Sequence, residues 1–293
     1  MSYRRYLKEI EVRIALNREK GAAELYREAL DIVEKWFTHE QKEEDAFIRI
    51  LSALFKAQPS MAPMLNLVNQ LLIAVEEGWD KVERKISALR ERHETSLKRI
   101  IEHAEKRLNR ITYFATVSYS STIVETVKSL SARRKLKLII PEGIPGEHGV
   151  RTAKKLKNHA EVVLCSDAFA PSCVKDADTL ITGADAITKS HIINGCGTYP
   201  MALACKETGI PYVVLADTQK LLPDGLAAYH TIERMTYERD KMAVIHSLFD
   251  KTPLSYAAEI ITEEGVFTKD AVKEKIEGIR VSPLIKKIAE GGR

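Results

Sequence analysis

Three short segments of this chain carry residue types able to hold a phosphorylated ligand. Ser118-Tyr119-Ser120-Ser121-Thr122 is a run of hydroxyls placed just before a helical stretch. Such hydroxyls, together with the free amides of a helix start, donate to an anion. Gly183-Ala184-Asp185-Ala186 presents a carboxylate that can accept bonds from sugar hydroxyls or move a proton. Both have a plainer reading, with Ser120 or Ser121 as a helix cap and Asp185 as a turn cap. In Asn194-Gly195-Cys196-Gly197-Thr198-Tyr199 the glycines let the backbone bend close to a phosphate, and Thr198 adds a hydroxyl. A helix start that uses glycine for tight packing explains the same residues. The segment is not the dinucleotide fingerprint, because Pro200 stands where the third glycine belongs, and no Gly-Lys-Ser/Thr makes it a Walker loop.

Weaker candidates follow. Gly143, Gly146 and Gly149 form a flexible loop that also holds Glu142, Glu147 and His148. His148 reads as a solvated loop histidine, since no second ligand lies at a metal-binding spacing. Lys20 beside Gly21 either reaches a ligand crevice or is an ordinary surface lysine. Lys220 is counted with the ligand-binding candidates. The four cysteines, Cys165, Cys173, Cys196 and Cys205, show no CxxC pair and read as packing residues, so neither metal nor cofactor is expected.

The elements that must position these residues fall into two patterns. Up to about residue 110 the chain reads as helices, most clearly between Trp79 and Asn109. There Val82, Ile86, Leu89, Leu97, Ile100, Ala104 and Leu108 make one apolar stripe. Shorter stripes cover Ala22 to Phe37 and Asp45 to Lys56, and Gln58 to Pro63 breaks the run and starts the next helix. Beyond Ile111 the period changes. Strand-like runs at Ile111–Val117, Lys135–Ile140, Glu161–Cys165, Thr179–Thr182 and Pro211–Ala216 alternate with helical stretches at Ser121–Leu130, Val150–Lys157 and Tyr199–Glu207. That alternation predicts an α/β chain: an all-helical domain over 1–110, then a Rossmann-like, doubly wound and mostly parallel sheet over 111–293. In the usual strand order the first and fourth strands flank the ligand crevice, which puts the Ser118 and Asp185 loops opposite each other.

The bulk numbers exclude several classes. In 293 residues, 45% hydrophobic and 29% charged, disorder is excluded. A net charge of +4 from 45 basic and 41 acidic residues, with no basic stripe, gives no reason to expect direct nucleic-acid binding. The longest apolar run, Met64 to Val75, is interrupted by Asn66, Asn69 and Gln70 and is too short to span a bilayer. The N-terminus lacks a secretory core, so a cytoplasmic location is expected.

Taken in order, the hydroxyl run, Gly183-Ala184-Asp185-Ala186-Ile187, Asn194 to Tyr199, Phe249-Asp250-Lys251-Thr252-Pro253 and Ile261-Thr262-Glu263-Glu264-Gly265 resemble one family. It is that of the α, β and δ regulatory subunits of eukaryotic initiation factor 2B, with archaeal homologues, methylthioribose-1-phosphate isomerase and ribose-1,5-bisphosphate isomerase. Lys20-Gly21-Ala22-Ala23 and Pro59-Ser60-Met61-Ala62-Pro63 match its N-terminal signatures. The resemblance implies homodimerisation, or a higher homo-oligomer, through the Rossmann-like domain, and a crevice that holds a pentose phosphate or nucleotide. In the isomerase members a cysteine after the first strand and the aspartate of Gly-Ala-Asp move a proton between sugar carbons. Asp185 matches that aspartate, whereas Ser118 stands at the cysteine position. An arginine-proline pair after the second strand is replaced by Pro141-Glu142, and Asn-Lys-x-Gly-Thr reads Asn194-Gly195-Cys196-Gly197-Thr198. These departures lead to the expectation of a non-catalytic regulatory member that binds a phosphorylated small molecule, with a translation factor or a metabolic partner as what the resemblance implies for its contacts. The alternative is an aldose–ketose phosphate isomerase built on Asp185 and a second, unidentified group.

Overall fold

A computed structural model describes residues 3–17, 22–39, 43–232 and 234–290. The chain divides into two compact units. The first comprises residues 1–95, 222–231 and 277–293; the second comprises 96–221 and 232–276. Lys20 and Gly21 lie outside the described residues.

The first unit is helical: α1 (Arg4–Ile10), a π turn at Glu11–Ala15, α2 (Ala22–His39), α3 (Glu44–Ala57), α4 (Ala62–Glu77) and the start of α5 (Trp79–Arg107). Pro63 sits in the first turn of α4, where a missing amide costs nothing. Trp36 and Phe47 stack at 4.9 Å, and Phe37 and Trp79 close the aromatic core around them. The later pieces of this unit are held by polar clips. Buried Asn69 donates to the Arg280 carbonyl and accepts from the Ser282 amide, each at 2.8 Å.

In the second unit, α5 ends and the chain alternates as expected: β1 (Tyr113–Ala115), α6 (Ser121–Ser131), β2 (Lys137–Pro141), α7 (His148–Leu156), β3 (Glu161–Cys165), the short α8 (Ala170–Cys173) and β4 (Thr179–Thr182). Then come β5 (Ala186–Ile187), β6 (His191–Gly195), α9 (Thr198–Thr208), β7 (Tyr212–Leu215), and α10 (Asp224–Ala227) of the first unit. The remaining elements are β8 (Arg234–Arg239), β9 (Met242–Ser247), β10 (Phe249–Pro253), β11 (Glu259–Thr262), β12 (Gly265–Phe267), α11 (Lys269–Glu277) and α12 (Leu284–Ala289).

Seven strands form one sheet in the order β12-β11-β7-β4-β1-β2-β3, parallel except for the β11–β12 pair. The chain builds outward from β1 to β3 and returns to the other side of β1 at β4. The topological switch therefore falls between β1 and β4, the pair of loops that the sequence puts opposite each other. Phe114, Leu138, Ile140, Ile181 and Val213 are buried in the sheet core, against Val124 and Val127 of α6. Three features are additions to the expected alternation: the β11–β12 pair at one edge of the main sheet, a three-stranded antiparallel sheet, β10-β6-β5, and the hairpin β8–β9.

Candidate functional site

Ser118 ends the segment after β1 in a left-handed conformation, with φ at +66°. A non-glycine residue held there is strained, and such strain persists where the surroundings over-determine it. Those surroundings are visible. A Cβ at Gly195 would lie 2.2 Å from Ser118 Oγ, so the β6 backbone presses directly on the serine. On the other side Thr152 Oγ1 of α7 lies 2.7 Å from the Ser118 carbonyl and 3.2 Å from that of His148. One hydroxyl thus ties the Ser118 loop to the start of α7.

That tie brings together residues distant in sequence. A cavity of about 390 Å³ is lined by Ser118, Gly143 to Gly146, His148, Asp167, Ala168, Pro171, Cys196, Gly197, Pro200, Ser247, Leu248 and Asp250. His148 is not a solvated loop residue. It is the first residue of α7 and faces this cavity, with its ring packed so closely on Gly146 that a Cβ there would meet Nε2 at 2.5 Å. The loop positions that face the cavity are Gly143, Ile144, Pro145 and Gly146, not Pro141-Glu142, because Pro141 still belongs to β2. In this loop the cavity wall is therefore apolar, and Glu142 is not part of it.

The two aspartates of the wall are committed to backbone amides. Asp167 accepts from Gly143 at 2.8 Å and Ile144 at 2.9 Å. Asp250 accepts from Gly197 at 2.7 Å and Tyr199 at 3.2 Å, so a resident carboxylate sits at the α9 N-terminus. The Gly195–Thr198 turn is otherwise tied to itself. Asn194 Nδ2 donates to Thr198 Oγ1 at 2.9 Å, and that hydroxyl donates to the Gly195 carbonyl at 2.6 Å.

Asp185 is half-buried beside the cavity and is not part of its wall. Burial pushes its carboxyl above the usual carboxylate range, while the positive charges of Lys220 and His148 pull it back. Lys220 Nζ donates to the Ala184 carbonyl at 2.6 Å. The turn that carries Lys220 is pinned by buried Glu263, which accepts from the Thr218 amide at 2.9 Å and from its hydroxyl at 2.5 Å. Cys196 is exposed as a residue, yet partial burial and then the Asp250 carboxylate push its thiol up.

Other candidates are engaged elsewhere. Ser120 caps α6 by accepting from the Ile123 amide at 3.4 Å, and Ser121 is exposed in the first turn. The Tyr119 ring lies under the Arg151 guanidinium at 4.0 Å. His148, Asp167 and Asp250 are the residues that spacing alone misses, since they meet only through the sheet. The signal for Asp250 was present in Phe249-Asp250-Lys251-Thr252-Pro253, without a role attached. Among the described residues, no cluster of His, Cys, Asp and Glu is arranged to hold a metal ion, and no helix is long and apolar enough to cross a membrane.

The chain is similar in sequence and fold to known proteins. An eIF-2B subunit 2-like protein of Pyrococcus horikoshii is 30% identical over 226 residues, 76% of this chain and 81% of that protein. Ribose 1,5-bisphosphate isomerase of Archaeoglobus fulgidus is 28% identical over 267 residues, 84% of each. The crystal structure of the translation initiation factor eIF-2B of Pyrococcus horikoshii superposes with a TM-score of 0.76 at 28% identity, covering 90% of this chain and 96% of that one. The model of the initiation factor 2 subunit family matches residues 18–269, and the chain belongs to that family.

Proposed function

We propose that this chain is a regulatory member of its family that binds a sugar phosphate or nucleotide at the β1–β4 switch point and does not turn it over. The observation that carries the reading is the cavity that gathers Ser118 after β1 with His148 and Cys196, with Asp185 after β4 close enough to His148 to feel its charge. Loops at the carboxyl ends of parallel strands are where such folds hold ligands. The non-catalytic part rests on the acids present. Ser118 carries a weak hydroxyl acid at the place of a cysteine, and the Cys196 thiol is pushed up rather than down. The eIF-2B-like relatives support a regulatory role, with a translation factor as partner, and the isomerase relatives support the sugar-phosphate chemistry of the ligand.

A thermal-shift screen of pentose phosphates and nucleotides tests the reading, because a ligand selective for the folded state raises the midpoint. For any hit, Asp185→Ala is expected to weaken binding. A lost bond to a charged acceptor costs about 1.5–3 kcal/mol, or roughly ten- to a hundredfold. Unchanged affinity by calorimetry would move the ligand away from Asp185.

Assembly is part of the same proposal. The edge strand β3 exposes Val163 and Leu164, at 38% and 43%, apolar surface of the kind a second copy covers. Light scattering of the full chain is expected to give at least twice the chain mass; a monomer at every concentration removes this element.

A further inference from the structure

Among the described residues, the cavity wall carries two carboxylates, Asp167 and Asp250, no lysine and no arginine. Several backbone donors at the two helix starts are already taken. At the α9 start, the Gly197 and Tyr199 amides go to Asp250. At the α7 start, the Gly149 and Val150 amides go to the Glu142 carbonyl, and that of Arg151 goes to the Glu147 carbonyl. Of the wall's side-chain donors, Ser247 Oγ donates to the Phe249 carbonyl at 2.8 Å and the Cys196 thiol bonds to Asp250, which leaves the Ser118 hydroxyl and the His148 imidazole to donate to an anion. The imidazole alone among them can carry a positive charge.

We propose that His148 recognises the anionic group of the ligand, and that binding requires its imidazolium. This rests on the reading that the cavity takes a phosphorylated molecule. The histidine is well placed to do so, because Thr152 fixes its backbone to the Ser118 loop and Gly146 leaves room for its ring. The charges around it come from several elements. Asp185 and Lys220 lie beyond β4 and β7, Asp167 follows β3, Asp250 is on β10 and Cys196 follows β6. Glu142 and Glu147 share its own loop, and Arg151, one turn on, covers Tyr119. Acidic groups dominate this set. A dianion is therefore drawn in only while the imidazole is charged, and histidine is the side chain whose ordinary titration spans neutral pH.

The test uses the full chain and inorganic sulfate, whose charge stays constant across the range. Calorimetry between about pH 5.5 and about pH 8 should show sulfate affinity falling with rising pH, at most about tenfold per pH unit. His148→Gln should bind weakly, with less than about a twofold change across the range, while Asp185→Asn retains a histidine-dependent fall. Imidazole NMR of the native chain gives a second readout that needs no folded variant: sulfate should raise the titration midpoint of one histidine, the resonance absent from His148→Gln. Equal sulfate binding and equal pH dependence in His148→Gln overturn the proposal, as does a sulfate addition that moves no histidine. If ribose 5-phosphate binds His148→Gln as tightly as the native chain at about pH 5.5, the histidine role falls and the ligand reading stands. If sulfate, ribose 5-phosphate and AMP all fail to bind at any pH, both fall.

Discussion

Gly149→Ala is expected to be the most destabilising single-methyl change in the α/β unit. A Cβ at Gly149 would lie 1.7 Å from the Pro141 carbonyl oxygen and 2.9 Å from its carbon, with the Glu142 oxygen at 3.1 Å. All three atoms are backbone, so no side chain can swing aside. The start of α7 must instead move off the end of β2, breaking the bonds from the Gly149 and Val150 amides to the Glu142 carbonyl, at 3.1 and 3.2 Å. Overpacking of this severity exceeds the usual range for added methyl groups, and a loss of more than about 3 kcal/mol is expected. Urea unfolding should show a large drop in midpoint. Gly209→Ala is the control, since nothing lies within 4 Å of its Cβ and the change is opposed only by a φ of +75°. It should cost about 1–2 kcal/mol. Because α7 carries His148 and Thr152, any Gly149→Ala protein that still folds should also lose ligand affinity. An unchanged midpoint would mean that α7 slides freely along β2.

The close packing at Gly149 marks the limit of what spacing can reveal. The alternation of period along 111–216 was enough to read the parallel strands, and β3 and β4 coincide with the expected Glu161–Cys165 and Thr179–Thr182. Their β-branched, apolar runs admit little else. The switch point between β1 and β4 was legible for the same reason, because few connections satisfy right-handed crossovers. The antiparallel strands β5, β6 and β10 were not legible. They are short or mixed in polarity, and β10 pairs with β6 across some fifty residues, Phe249 opposite Gly195. That long-range pairing brings Asp250 to the α9 N-terminus, so the resident carboxylate could not be read from the glycine turn. His148 was hidden for a similar reason. Its loop is rich in glycine and polar residues, which reads as solvated, while its place in the cavity depends on Thr152 meeting Ser118 across the sheet. Ser120 illustrates the opposite case, in which the plain cap reading matches the bond seen.

The native chain is expected to show no isomerisation of ribose 1,5-bisphosphate or methylthioribose 1-phosphate. Proton transfer between adjacent sugar carbons needs an acid that titrates near the working pH, and a well-placed one contributes about 10²–10⁴-fold in rate. A serine hydroxyl at position 118 does not meet that need. The thiol that does face the cavity, Cys196, is pushed away from neutrality by burial and by Asp250. Ser118→Cys keeps the same Cβ and therefore fits the same left-handed backbone against Gly195. It should supply the acid but little turnover, because the neighbouring wall offers Ile144 and Pro145 where a bidentate arginine would clamp the phosphate. Position 144 is the one to change. Ile144 is 60% exposed and lines the cavity, so Ile144→Arg can place a bidentate donor there without opening the core. An arginine at 142 is not expected to act this way, since that residue is absent from the wall. Product followed by phosphorus NMR over hours should appear first in the Ser118→Cys, Ile144→Arg double variant and vanish when Asp185→Asn is added. Steady turnover by the unmodified chain, abolished by Asp185→Asn, would make the protein an isomerase; its loss in His148→Gln as well would make the imidazole the second proton carrier in place of a thiol.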